Sequence, residues 1–592
     1  MTKKLKDSII LLMLTIIYFT LIYIYLWDLL HKQNIILDLS FKKIDFSKER
    51  KDLWPRVIKA FNFTNLFLVL LSIIHFMKNN ITEISKVIKN KKVNVKTKEK
   101  IDLNKLNERE VEKYIENYKS LKINIGFNED KKLVWLEGKS LFQNILITGS
   151  IGSGKTQSAI LPITNQIISY KKDEKDKKIA ALILDVKGNF CKSVENIAEK
   201  CGRKKDIIKI RIGGKYKYNP LDKPNLKAQV IANRLKSVLL LLSSDNTEIY
   251  WLDKAEQLIS ECIKFIRLYN NGYVNFDELS KIIFDENYYK KKKNDIRKNI
   301  LKSKYSKEDI FNLNSFLEYF ENEFLNLDDR TSAIIKSEIS RITNIFVSDY
   351  EINKTFSPKK EDINFYGFKE ILKQGKIVVL DMNLSQNTIL AKIIATYLKL
   401  DFQGEVLSQL KNNKNKIRTT AFICDEYQEY VTKTDANFYA QSREAKCINI
   451  VSTQSYTSLK NTLKDKESCE VIIQNLLNKI WFRNDDKYTI DSAISQIGKV
   501  YKEKVSRTIS ENSKDSEYNY LLKKFVSTDS NLSESINKSK ELENLYEVND
   551  FTQNLKIFEA IIFFTNDKGK NIKPEKIITI PQFKRKEIYE KK

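Results

Sequence analysis

Apolar residues follow three different rhythms along this chain. Ser8–Leu30 is an almost unbroken apolar run with one acid, Asp28, near its end. Ala60–Met77 is a second, weaker run, interrupted by Asn62, Thr64, Asn65 and Ser72. At 1.5 Å per residue the first can cross a bilayer, and the pattern predicts membrane-spanning helices over about 8–30 and 60–77, with a buried soluble helix as the alternative for the second. No small-residue cleavage site follows a short apolar core, so the first run reads as an uncleaved anchor with Tyr23, Tyr25 and Trp27 at the interface. From about Ile123 onward, short apolar runs alternate with helical stretches, the signature of an α/β fold with a mainly parallel sheet. Strands are expected at Asn144–Thr148, Ile179–Leu184, Lys376–Leu380, Thr420–Cys424, Ile448–Ser452 and Lys479–Phe482, and again at Ile557–Thr565 and Lys576–Ile580. Residues 228–345 break that rhythm with long helical patterns and a lysine cluster at 290–298, and read as an all-helical insertion. Residues 503–540, rich in Ser, Lys and Asn with weak periodicity, read as a mobile excursion between two late strands.

Composition narrows the chemistry. With 592 residues and a net charge of +27, the chain has room for several domains and calls for an acidic partner, either nucleic acid or anionic lipid. The six cysteines are scattered without a C-x-x-C pair and read as reduced thiols rather than a disulfide frame or zinc site. The two histidines, His31 and His75, sit beside the apolar runs, which excludes a histidine-based triad or metalloenzyme.

The sharpest local signal is Gly149-Ser150-Ile151-Gly152-Ser153-Gly154-Lys155-Thr156, a full G-x-x-x-x-G-K-[ST] loop in a chain with only 15 glycines. It follows an apolar strand and precedes a helix predicted over Gln157–Tyr170, with a kink at Pro162. Backbone N–H groups of such a loop cradle phosphates at a helix N-terminus. Lys155 is expected to reach the β- and γ-phosphates of ATP, and Thr156 to ligate Mg²⁺. A second strand ends in Asp425-Glu426. The first acid is expected to hold Mg²⁺, and the second to polarise the attacking water. Asp381 and Asp185 also close strands, but each lacks an adjacent second acid. The expected organisation is an anchor at 1–80, a nucleotide-binding domain in two parts at 81–227 and 346–592, and the insertion at 228–345. ATP chemistry places the motor domain in the cytoplasm, and the eight Lys against two Glu over Lys78–Lys100 favour the same side.

With these motifs the chain resembles the type IV coupling proteins of conjugation and type IV secretion systems (TraG/TraD-like). The resemblance covers most of residues 120–500. Beyond the loop it runs through Asp185-Val186-Lys187-Gly188, Tyr218-Asn219-Pro220-Leu221, Tyr250–Ala255, Cys424-Asp425-Glu426, Ser442-Arg443, Thr453-Gln454-Ser455, Gln474–Ile480, Asp485-Asp486 and Ile497-Gly498. It implies a RecA-like P-loop motor with an all-helical insertion behind two transmembrane helices, multi-pass in the bacterial cell membrane. By the same resemblance Gln454 senses the γ-phosphate, and Arg443 reaches the ATP of a neighbouring copy in a ring, a homo-hexamer. Its implied partners are single-stranded DNA with a relaxase and the components of the secretion channel. Two departures stand out: Asn189 where many members carry an acid, and Tyr427-Gln428 where a Phe and small residues are common. Two other functions use the same nucleotide site, a double-stranded DNA translocase of the FtsK/HerA type and an ATP-dependent receptor for secreted protein effectors.

Overall fold

The strands follow in chain order as β1 (Lys122–Asn128), β2 (Leu133–Glu137), β3 (Ile145–Thr148), β4 (Ala180–Leu184) and β5 (Ile207–Ile210). After a long helical stretch come β6 (Ile377–Leu380), β7 (Thr420–Cys424), β8 (Cys447–Thr453) and β9 (Asn478–Phe482). The last are β10 (Lys499–Asn512), β11 (Glu517–Asn519), β12 (Lys524–Val526), β13 (Asn531–Asn544), β14 (Glu559–Phe563) and β15 (Glu575–Ile578). The computed structural model describes residues 121–584, apart from 186–187, 244–247, 301–304, 383–386, 412–416, 513–516, 520, 522–523, 527–530 and 567. The two expected membrane spans lie outside the described residues. Among the described residues no helix is long and apolar enough to cross a membrane.

Eleven strands make one sheet, in the order β2-β1-β15-β14-β9-β3-β8-β7-β4-β6-β5. From β9 to β5 all neighbours are parallel, and the β2-to-β9 edge is antiparallel. The central strands are buried along their whole length, as expected where helices cover both faces of a parallel sheet. Alternation divides them between two cores. In β4, Ala180, Leu182 and Leu184 join one cluster, while Ala181 and Ile183 join the other.

The expected strands appear with small shifts at their ends. β3 starts at Ile145 rather than Asn144 because Asn144 has a left-handed backbone, φ +59°. The short edge strand β5 escaped the pattern because Lys209 interrupts its apolar run. The helix after the loop opens with a wide π turn at Thr156–Ile160 and continues as an α-helix over Leu161–Ser169. Pro162 follows the π turn within this continuous helical stretch, so the expected kink appears as that wide turn.

Between β5 and β6 the chain is mainly helical, with helices at Ala228–Leu242, Ile249–Tyr269, Phe276–Phe284, Glu286–Ile300, Lys307–Leu317, Asp329–Val347 and Tyr350–Phe356. Asn275, Ser306, Asp328 and Asp349 cap four of these through side-chain oxygens that accept backbone N–H groups. Stacked rings fill the interior, Phe265 on Phe316 at 4.3 Å and Phe276 on Phe346 at 4.0 Å.

The excursion at 503–540 lies between β9 and β14, and it carries strands that the pattern did not announce. Among the described residues, β10 and β13 pair antiparallel as a ribbon from Lys499↔Asn544 to Asn512↔Asn531, and β11 pairs antiparallel with β12. One face of the ribbon alternates Tyr501, Val505, Ile536 and Leu542 with charged residues, and these four are 51–74% exposed. With solvent on both faces, polar residues need not alternate with apolar ones, so the period-two signal was diluted.

One buried charge makes a testable contribution to stability. Lys479 on β9 is 1% exposed and donates to the carbonyls of Ile473 (2.6 Å) and Leu476 at the end of the helix Lys466–Asn475. Burial pushes its pKa from 10.5 down to about 7. Above that value the folded chain has released a proton that the unfolded chain keeps, so stability should rise with pH from about 7 toward 10. Denaturant unfolding of the parent and Lys479→Met at about pH 7 and pH 9 checks this: the variant should lack that part of the rise.

Candidate ATP site

β3 ends at Thr148 and the chain turns directly into Gly149–Thr156. Gly152 and Gly154 take φ of +79° and +100°, a region that strains any side chain. At Gly154 a Cβ would also come within 2.6 Å of the Phe558 ring. The loop is anchored by Ser150 N–H on the Arg483 carbonyl (2.8 Å) and by Ser153 N–H on the Ser150 carbonyl (3.2 Å). Among the described residues, the N–H groups of Gly152 and Gly154 have no acceptor, and the buried Ser153 hydroxyl has no partner. Unspent donors at a helix start form an anion cradle. Lys155 is buried and folds back across the loop onto the Gly149 carbonyl, with Ser150 O at 3.4 Å.

The sheet order brings the second half of the site alongside. β8 lies between β3 and β7, so the carboxyl ends of all three strands converge at one edge, where ligands collect in parallel sheets. Thr156 Oγ1 donates to Asp425 Oδ2 at 2.6 Å. The other carboxylate oxygen, Oδ1, accepts from the Ser452 hydroxyl and from Glu426 N–H at 3.1 Å. Glu426 is 8% exposed, and its Oε2 accepts from Gln454 Nε2 at 3.2 Å. The Gln454 carbonyl is in turn held by Asn484 Nδ2 at 2.8 Å. A hydroxyl beside a carboxylate is a hard-oxygen donor set that fits Mg²⁺, which takes one or two protein ligands plus phosphate oxygens.

Neither a protein-family model nor a curated protein sequence matches the chain. Solved structures do resemble it. The chain is similar to conjugative coupling proteins. The unbound bacterial conjugative coupling protein TrwBdeltaN70 aligns with a TM-score of 0.48 and 13% identity, over 76% of this chain and 87% of that one. Plasmid coupling protein TrwB in complex with ADP and Mg²⁺ gives 0.49 and 12%, over 75% and 87%. VirB4 of Thermoanaerobacter pseudethanolicus gives 0.44 and 12%, over 77% and 96%.

Among the expected site residues, the structure thus gathers Gly149–Thr156, Asp425, Glu426 and Gln454. It does not bring Arg443 to them. Arg443 is exposed at the C-terminal end of the helix Asp435–Ser442, before β8 begins, whereas Gln454 follows the far end of that strand. Seven strand residues separate the two ends by about 20 Å. The end of that helix is fixed from within: Ser442 Oγ donates to Asn144 Oδ1 (3.2 Å), which also accepts from Asn449 Nδ2 (2.7 Å). Asn144 Nδ2 then donates to the Asn475 carbonyl at 2.9 Å. The rival strand-end acids have other work. Asp185 Oδ2 accepts from Phe190 N–H at 3.1 Å in the first turn of the helix Asn189–Lys200, and Asp381 pairs with Lys209 at 3.4 Å.

Sequence reasoning missed several neighbours of the site. Ser452 is the last residue of a strand already expected, and alternation alone gives it no role. Phe558 comes from the C-terminal segment, more than 400 positions after the loop, and its N–H donates to Ser153 O at 3.2 Å. Nothing local in the sequence signals that contact.

Proposed function

We propose that this chain is a membrane-anchored ATPase that couples a DNA–relaxase complex to a type IV secretion channel and pumps single-stranded DNA during conjugation. It works as a ring of copies, a homo-hexamer, with its motor domain on the cytoplasmic side of the bacterial membrane. The observation that carries the ATPase part is the joining of the two motif halves, Thr156 to Asp425 at 2.6 Å and Gln454 to Glu426 at 3.2 Å. The loop N–H groups and Lys155 bind the triphosphate, and Thr156 and Asp425 hold Mg²⁺, which when bound neutralises phosphate charge. Glu426 orients and polarises the attacking water, and Gln454 ties that carboxylate to the end of β8, where it can respond to the γ-phosphate. Arg443 is exposed and has no ion pair among the described residues, so it is free to complete a neighbour's site in a ring. The net charge of +27 suits backbone contacts to nucleic acid.

The test is ATP turnover with single-stranded DNA, duplex DNA or neither. Stimulation by single strands is expected, with DNA affinity falling against log salt by about 0.7 per phosphate neutralised. Stronger stimulation by duplex would instead favour the double-stranded translocase. No response to either would favour the effector receptor.

A further inference from the structure

Glu426 holds a strained backbone conformation. Its φ and ψ are +51° and +50°, the left-handed region that side chains rarely adopt and that persists only where the surroundings over-determine it. The two residues after it, Tyr427 and Gln428, are where this sequence departs from the coupling-protein pattern, and both are tied down.

Gln428 is buried, and its Nε2 donates to Glu426 Oε2 at 2.7 Å, shorter than the 3.2 Å contact from Gln454. Its own Oε1 is buried without a partner among the described residues. Tyr427 is fully buried, and its hydroxyl donates to Asp435 Oδ2 at 2.5 Å. Asp435, 0% exposed, also accepts from Lys399 Nζ (2.6 Å), Gln403 Nε2 (2.9 Å) and Thr432 N–H (3.0 Å). Lys399 in turn donates to the Tyr430 carbonyl (2.7 Å) and Thr432 Oγ1 (2.9 Å). The segment from Glu426 to Asp435 is therefore closed on a buried ion pair. Such pairs are frequently no more stable than apolar replacements of the same volume, and their best-attested use is to specify one conformation.

We infer that Tyr427 and Gln428 are positioning residues for Glu426. Gln428 fixes the direction of the carboxylate by occupying Oε2, which leaves Oε1 for water. Tyr427, through Asp435 and Lys399, holds the left-handed turn that aims Glu426 at the loop. The inference rests on the ATPase reading of Glu426.

The molecule supplies its own control. Tyr218 is also fully buried and donates its hydroxyl to a buried aspartate, Asp401, at 3.0 Å. Asp401 lies on the same helix as Lys399, Thr388–Ser408, but its other partners are Lys223 (2.7 Å) and Arg234 (2.9 Å), away from the Glu426 segment. In the full chain, Tyr427→Phe and Gln428→Met should each lower kcat about tenfold or more, the scale of a small misplacement of a catalytic group, while the Kd for ATP stays within about twofold. Tyr218→Phe should lower the unfolding midpoint about as much as Tyr427→Phe yet keep the parent kcat. Gln428→Met reads the same effect without disturbing the ion pair, should Tyr427→Phe reduce the folded yield. Parent kcat in Gln428→Met, or an equal loss of kcat in Tyr218→Phe, would overturn the positioning role. Parent-rate hydrolysis by Glu426→Gln would overturn the ATPase reading itself, a separate failure.

Discussion

Lys155→Ala should hydrolyse ATP at less than about one hundredth of the parent rate, the loss that follows removal of a preorganised charge from a transition state. The expectation follows from where Lys155 is held. Its ammonium is buried against the loop's own carbonyls at Gly149 and Ser150, so it is held at the phosphate cradle. No other lysine or arginine lies within Gly149–Thr156. The substitution removes the loop's one formal positive charge while Gly152 and Gly154 keep the turn. The loss should therefore appear in both ATP affinity and kcat, and membrane association should be unchanged because the apolar runs are untouched. Parent-rate turnover by the purified variant would remove the assignment.

Glu426→Gln should separate binding from chemistry. Lys155, Thr156 and Asp425 remain, so ATP should bind with near-parent affinity, whereas kcat should fall by about 10²- to 10⁴-fold as the carboxylate that polarises water is lost. The amide is nearly isosteric, and its oxygen can still accept from Gln428 and Gln454, so the local structure should persist. Rapid filtration with labelled ATP should recover unhydrolysed nucleotide on the protein. Loss of binding without a trapped ATP state would make Glu426 structural.

The halves of this site were legible in the sequence for different reasons. The loop was readable because its glycines answer a backbone demand: Gly152 and Gly154 stand where φ is positive, and a local pattern records that directly. Asp425 and Glu426 were readable because an unbroken apolar strand ends in two acids. What brings them to the loop is strand order, with β8 between β3 and β7, and periodicity carries no information about order. The contacts of Gln454 and Ser452 follow from that order and were out of reach for the same reason. Tyr427 and Gln428 were visible as departures from the family pattern, but their partners Asp435 and Lys399 are named only by the fold. The paired strands β10 and β13 show the converse failure: where exposed apolar residues alternate with charged ones, little hydrophobic pattern is left to read.

In the proposed ring the ATP site is shared between copies, with Glu426 acting in the chain that binds nucleotide and Arg443 supplied by its neighbour. The most direct test is to mix Glu426→Gln with Arg443→Ala, each inactive alone, and measure ATP turnover in rings shown to contain both. Random mixing in equal amounts leaves about one quarter of interfaces with both groups intact, so turnover should recover to a corresponding fraction of the parent rate. Mixed rings that stay as inactive as either variant alone would contradict the shared site.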